Sequence, residues 1–360
     1  MSNGVSTNFD LSPTVAILQP DYDDSSWQRV DVPHDYVVEG GFDPKADEAH
    51  GYLPVEPGWY RKSIAIPMNA QGRRLWLEFD GVYRDSRVWL NGHLLGRHAS
   101  GYTSFHYDIS DIALPGTNNH LVVRVDPSAF EGWWYEGGGI YRHVRLVSVD
   151  PVHVDPWGVQ IITKVGDPGV GLQADTRVEL TTAITNESSA SQRVTVSSEV
   201  IDAGGAPVAS GRSTHRIPAG GGAEFFQTLK LARARLWSCD HPDLYRLRTS
   251  VQVGGETVDE ISTDFGVRTI RFDADRGFFL NGRPLKIQGT CNHQDFAGVG
   301  VALPDRLYEI RVQALKEMGA NAWRCSHHAM APELLEACDR LGILVMAENR
   351  HLIRRAGAAD

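Results

Sequence analysis

The chain has 360 residues, 42% of them hydrophobic and 22% charged. At about 150 residues per domain this predicts two to three domains with cores of their own, and it excludes disorder, collagen and coiled coil. A net charge of −10 and a pI near 5.8 exclude a protein built to track a phosphate backbone, so no nucleic-acid partner is expected.

The N-terminus, from Met1 to Asp10, has neither a basic start nor an apolar run. No later segment approaches the ~20 apolar residues of a membrane span, which predicts a cytoplasmic protein without a membrane partner. From residue 58 to 149 short alternating runs are bounded by turn residues: Trp59 to Ile66, Arg74 to Phe79, Arg87 to Leu90 and Leu121 to Val125 read as strands. Asn91-Gly92 between Leu90 and His93 is a hairpin signal, because a type I′ turn needs two residues that tolerate positive φ. Residues 1–149 therefore predict a β-sandwich of the jelly-roll kind.

Residues 150–268 stay in the β idiom with fewer aromatics. Val178 to Ile184 and Arg193 to Ser197 alternate, with the polar connection Asn186-Glu187-Ser188-Ser189, and predict an immunoglobulin-like sandwich. From residue 269 the period switches. Leu285 to Gly289 reads as a strand. Leu307, Ile310, Ala314, Leu315 and Met318 fall on one face of a helix that Gly319 closes. Ala322-Trp323-Arg324 reads as a second strand. Pro332 opens a second helix with Leu334, Leu335, Cys338 and Leu341 inward and Gly342 at its end, and Ile343 to Met346 reads as a buried third strand. A (β/α)8 barrel takes roughly 250 residues, so residues 269–360 amount to the truncated start of a TIM barrel or to a small open α/β layer.

In such layers ligands bind beyond the carboxyl ends of the strands. Three clusters stand there: Asn292, His293, Gln294 and Asp295; then Arg324, Ser326, His327 and His328; then Glu348, Asn349 and Arg350. Together on one rim they make a ligand site the better reading than satisfied loop groups. Cys291 and His293, with Cys325 and His327 repeating their offset, open a zinc reading, but structural zinc prefers CxxC or HxxxH spacing. The cysteines, Cys239 and Cys338 included, read instead as reduced, buried thiols. No metal or other cofactor is expected. Asp295 and Glu348 invite pairing as acid and nucleophile, although rim carboxylates more often bind hydroxyls or support arginines. Carbohydrate recognition suits the groups better: His, Asn and Arg bond hydroxyls, and Trp323 with Trp133-Trp134-Tyr135 offers apolar platforms. Adjacent Trp133 and Trp134 cannot both face one side of a strand, so one is expected on the surface or on a loop.

These residues resemble glycoside hydrolase family 2, which includes β-galactosidases, β-glucuronidases and β-mannosidases. The resemblance spans nearly the whole chain. It runs through Val32-Pro33-His34-Asp35, Gly58-Trp59-Tyr60-Arg61, Phe79-Asp80-Gly81-Val82-Tyr83, Val88-Trp89-Leu90-Asn91-Gly92, Gly137-Gly138-Gly139-Ile140-Tyr141-Arg142, Asp264-Phe265-Gly266-Val267-Arg268 and Phe279-Leu280-Asn281-Gly282. It is densest at Asn321-Ala322-Trp323-Arg324-Cys325-Ser326-His327 and Cys338-Asp339-Arg340-Leu341-Gly342.

It implies a sugar-binding jelly roll, an immunoglobulin-like domain and the start of a catalytic barrel. The implied reaction is retaining hydrolysis of terminal β-glycosides, β-galactosidase-like, with acid/base and nucleophile glutamates falling beyond residue 360. His293, Arg324 and His327 resemble substrate-pocket residues, and Glu348 stands where relatives have Asp-Glu. Asn292, Asp295 and Trp133 complete the candidate substrate-binding set. Leu352 and Arg354 replace the Glu and His of magnesium-dependent relatives, so no magnesium site is expected. A non-catalytic carbohydrate-binding protein built on the two sandwiches is the alternative. Unpaired strand edges predict self-association.

Overall fold

Between residues 58 and 149 apolar and polar side chains alternate, and a period of two builds a sheet with one dry face. In the computed structural model, which describes residues 16–167 and 171–349, this region forms β1 (Gly58–Ala65), β2 (Arg74–Phe79), β3 (Ser86–Leu90), β4 (His93–His98), β5 (Phe105–Asp108), β6 (Asn118–Val125) and β7 (Val144–Val149). Two antiparallel sheets result, ordered β1-β6-β3-β4 and β5-β2-β7. Leu75, Leu77 and Phe79 from β2 meet Val88, Leu90, Val123 and Val125 in one core. Each such fully buried side chain contributes about 1.5–3 kcal/mol. The β3–β4 turn is the predicted hairpin, with Asn91 and Gly92 at φ 51° and 80°. Asn91 also ties the turn down, its amide donating to Asn119 Oδ1 at 2.8 Å and its Oδ1 accepting from His120 N at 2.9 Å.

The chain divides into two units, and the segment Asp295–Leu303 belongs with Met1–Ser148 rather than with the sequence around it. Within that first unit Trp133 is 75% exposed on a loop while Trp134 is buried. Behind the loop, buried Glu136 accepts from Tyr102 Oη and from Glu131 N, both at 3.0 Å.

The second unit begins with β8 (Val152–Val165), β9 (Gln173–Asn186), β10 (Gln192–Ile201), β11 (Pro207–Ile217), β12 (Gly221–Arg235), β13 (Leu244–Val253) and β14 (Glu256–Gly266). They form two antiparallel sheets, β11-β10-β13-β14 and β12-β9-β8. Val178, Leu180, Val194, Val196, Phe225 and Leu247 fill the space between them. Buried Asn186 organises the predicted polar connection, donating to the carbonyls of Ala190, Ile217 and Pro218 and accepting from Ser188.

A small antiparallel sheet follows, β15 (Ile270–Asp273), β16 (Gly277–Leu280) and β17 (Arg283–Pro284). The chain then turns to the parallel pattern of a partial TIM barrel: β18 (Gly289–Asn292), α1 (Asp305–Glu317), β19 (Ala322–Cys325), α2 (Pro332–Leu341) and β20 (Leu344–Met346). Lys316 joins this layer to the second sandwich, donating to the carbonyls of Cys239, Leu341 and Gly342. Trp237 Nε1 does the same to Asp339 O at 2.8 Å.

Four expectations need correction here. The first parallel strand starts at Gly289 rather than at Leu285, because the Asn321 side chain bonds Lys286 O and Gln288 N and takes the place of a ladder there. Helix α1 buries Tyr308 and Val312, while Ile310 and Met318 are exposed. Arg311 causes that rotation: it lies over the buried Trp323 ring at 5.0 Å. In α2, Pro332 and Gly342 sit at the predicted ends, but Leu335 is exposed and Ala337 is buried in its stead. The third strand is only half-buried, with Met346 exposed, because β20 is an edge of its sheet. No helix among the described residues is long and apolar enough to cross a membrane.

Candidate functional site

Parallel register places Cys291 opposite Arg324 and Arg324 opposite Met346, so these side chains share one face of the layer. Arg324 is the hub. Its Nε donates to Glu348 Oε1 at 2.5 Å, its Nη1 donates to Cys291 Sγ at 3.2 Å, and its Nη2 lies 3.4 Å from His327 Nδ1. His327 Nδ1 is also 3.3 Å from Glu348 Oε2, and the His293 ring meets the His327 ring edge-on at 5.4 Å. The bond to Cys291 and the charge of Glu348 hold the guanidinium above the ordinary arginine value.

Each of the three groups is partly open, at 38% for Arg324, 30% for His327 and 24% for Glu348, so a ligand reaches them without unfolding anything. A fixed guanidinium, two imidazoles and one carboxylate offer donors and acceptors at close range. That set suits a neutral polyhydroxyl ligand. Glu348 is held by Arg324 and by His327.

His293, Arg324, His327 and Glu348 are therefore brought together as the sequence suggested. Asn292 is not: its side chain turns back on its own strand, bonding Thr290 Oγ1 and Thr290 O. Asp295 and Trp133 belong to the first unit. Gln294, Ser326 and His328 are buried, in the bends that follow β18 and β19. Asn349 is described without a bond to the cluster, and Arg350, Leu352 and Arg354 lie outside the described residues. Trp323 is buried at 1% exposure and offers no platform.

The zinc grouping also separates. Cys291 pairs with Arg324, so Cys325, one residue on, points to the opposite face and is fully buried. Cys291 itself is exposed, which corrects its reading as a buried thiol, whereas Cys239, Cys325 and Cys338 are buried.

Sequence reasoning missed one residue that shapes the site and misread another. Arg311 donates to His293 O at 2.7 Å and to Gln294 O at 3.1 Å, fixing the backbone from which His293 projects. Its signal is an arginine beside the apolar positions of a short helix, ahead of a strand tryptophan. Cys291 is the other: its register with Arg324 is visible only once the strand is placed. A cleft of about 1160 Å³ opens elsewhere, in the first unit, but it is floored by sandwich-interior Leu77, Phe79 and Val123 and shares no residue with the Arg324 cluster.

Three family models match this chain in order: the glycosyl hydrolase 2 galactose-binding domain-like model over residues 45–135, glycosyl hydrolases family 2 over 152–268, and the family 2 TIM barrel domain over 273–353. Beta-galactosidase BoGH2A from Bacteroides ovatus is 40% identical over 98% of this chain and 41% of its own length. A beta-glucuronidase from Bacteroides fragilis is 31% identical over 89% of this chain and 46% of its own. Among solved structures, a glycosyl hydrolase family 2 member from Bacteroides cellulosilyticus superimposes with a TM-score of 0.85 at 31% identity, covering 92% of this chain and 45% of that one. The chain thus spans less than half the length of these relatives. With sandwich, sandwich and parallel layer matched in sequence order and in structure, the chain belongs to glycoside hydrolase family 2.

Proposed function

We propose that these residues form the glycone-binding portion of a cytoplasmic, retaining β-glycosidase that acts on terminal β-galactosides. The observation that carries the reading is the Arg324–His327–Glu348 cluster with His293 beside it, at the carboxyl ends of three parallel strands. Arg324 and Glu348 offset one another's charge, so the pair offers donors and acceptors suited to a neutral glycone. The similarity to a β-galactosidase supports the same branch. The domain limits that go with this proposal are 1–149, 150–268 and 269–360. The proposal gives these residues a part in glycone binding and assigns none of them the acid/base or nucleophile role, so the 360 residues are expected to bind without turnover.

The test is titration of the chain with a non-hydrolysable alkyl thio-β-galactoside, followed by NMR, beside the matching thio-glucuronide, thio-mannoside and thio-glucoside. Binding that prefers the galactoside and weakens about tenfold in Arg324→Ala supports the proposal, since one charge-assisted bond is worth about 1.5–3 kcal/mol. Binding undisturbed by Arg324→Ala refutes it. The non-catalytic alternative gains if the gene ends at Asp360. Exposed Ile310, Met318, Leu335 and Met346 on the parallel layer support the self-association that belongs to the same proposal. Light scattering that returns a clean monomer mass at high concentration counts against it.

A further inference from the structure

Trp323 and Arg324 are neighbours on β19, so alternation points them to opposite faces of the parallel layer. Arg324 faces the candidate site. Trp323 faces away from it, 1% exposed, and its Nε1 meets no acceptor among the described residues. A phenylalanine would fill such a dry place without stranding a donor, so packing alone does not account for the indole. What lies over its face is a charge, the guanidinium of Arg311 from α1, with the central carbon 5.0 Å from the ring centroid. Among aromatic side chains tryptophan holds a cation best.

The same guanidinium grips the exit of the neighbouring strand. Its Nη2 donates to His293 O at 2.7 Å and its Nη1 to Gln294 O at 3.1 Å, just past the end of β18. Strands β18 and β19 are parallel neighbours, with Cys291 opposite Arg324 and Asn292 opposite Cys325. One cation on α1 thus spans two strand ends: it holds the backbone that carries His293 and rests on the ring one residue before Arg324. Projecting from those ends, the His293 ring meets the His327 ring edge-on at 5.4 Å, and His327 Nδ1 lies 3.4 Å from Arg324 Nη2.

We infer that Arg311, resting on Trp323, is a positioning residue for the candidate site: from the back of the layer it sets His293 against the Arg324–His327 pair. The value of that placement for glycoside binding rests on the function proposed above, but the clamp itself does not. An arginine suits the place because a planar fork bonds two carbonyls while its face is turned to a ring. A lysine keeps the charge and loses the fork. His293 and Gln294 have further partners of their own, so the clamp adjusts the imidazole rather than holding it alone.

Arg311→Lys tests this in the full 360-residue chain. The His293 ring signals are expected to shift in the NMR spectrum, while those of His215 in the second sandwich stay put. In the wild type the Trp323 ring current should displace the Arg311 side-chain protons upfield. Trp323→Phe should shrink that displacement and shift His293 as well, and it carries the test through the ring should Arg311→Lys fold poorly. Leu334→Ala, which opens a cavity under α2 in the same layer, is the control for a merely structural role: it lowers stability and should leave the His293 signals in place.

Unmoved His293 signals in Arg311→Lys overturn the positioning role, and so does a Leu334→Ala that moves them as far. Arg311 protons without the upfield displacement overturn the part given to Trp323. Thio-β-galactoside affinity, read on the same samples, falls about threefold or more in Arg311→Lys if both inferences hold. Shifted His293 signals with unchanged affinity overturn the use of that placement in binding. A wild-type chain that binds no thio-galactoside refutes the glycoside reading alone, and the ring signals still decide the clamp.

Discussion

Asp35 and Glu348 are both carboxylates that gather several donors, and they do opposite things with them. Asp35 is buried, meets four uncharged donors and joins three pieces of backbone. Glu348 is partly open and meets an arginine and a histidine whose remaining surface faces outward. A buried acceptor with fixed partners stabilises a fold because nothing else can replace it, while an open ion pair contributes little stability and remains available to a ligand. Burial, rather than the number of bonds, separates a structural carboxylate from the one proposed for recognition in this molecule.

The contrast breaks most sharply under truncation to alanine. Asp35→Ala strands three backbone N–H groups and a tyrosine hydroxyl in the dry interior, at a cost of roughly 1–3 kcal/mol for each donor that finds no water. Denaturant unfolding of Asp35→Ala is therefore expected to show a loss of about 3–5 kcal/mol. Glu348→Ala, measured beside it, should change stability by no more than about 1 kcal/mol. Equal losses would mean that the open pair is as structural as the buried one.

A smaller effect sharpens the comparison through pH. Burial, the largest influence on Asp35, pushes its carboxyl above the ordinary aspartate value against the pull of its four donors. The folded chain then holds the Asp35 proton to higher pH than the unfolded chain does, so this group's contribution to stability is full at low pH. It declines as pH rises from the unfolded value of about 3.9 to the folded one, by up to about 1.4 kcal/mol per unit of separation. Asp35→Asn cannot titrate. The stability of the wild type relative to Asp35→Asn should therefore fall across that interval and level off above it, as urea unfolding between pH 4 and 7 would show. A difference that rises with pH would place the carboxyl below its ordinary value.

Much of the fold was legible because period and punctuation are local. Asn91-Gly92 fixed a hairpin, Pro332 and Gly342 bounded a helix, and alternation in β9 and β10 announced the second sandwich. The candidate site was legible at the strand ends for His293, Arg324, His327 and Glu348, whose polar character stands out after apolar runs. What escaped were features fixed by partners distant in sequence. Arg311 rotates α1 because Trp323 and two carbonyls wait for it, and Asn321 delays β18 by standing in for its ladder. Asp35 meets Val301 across 266 positions, which no period can reveal. Asn292 failed for a local reason, its amide having a nearer partner in Thr290 than any ligand.

The same division between open and buried groups runs through the cysteines, where the expected effect on stability is smallest. Cys291 is exposed beside Arg324, whereas burial pushes the Cys325 thiol up to about 11 and the Cys338 thiol up to about 12, and raises Cys239 as well. Only the thiolate attacks a disulfide reagent, so an aromatic disulfide at pH 7.5 should label Cys291 in the folded chain and reach the other three only as it unfolds. Cys291→Ser should abolish the fast phase while changing stability by no more than about 0.5 kcal/mol, since a hydroxyl can still accept from Arg324 and the site is wet. If the fast phase instead survives Cys291→Ser, one of the buried thiols is opening on the labelling timescale. The parallel layer that carries the Arg324 cluster would then be less firmly packed than the sandwich latched by Asp35, and the open pair would owe its accessibility to local unfolding rather than to its place on the rim.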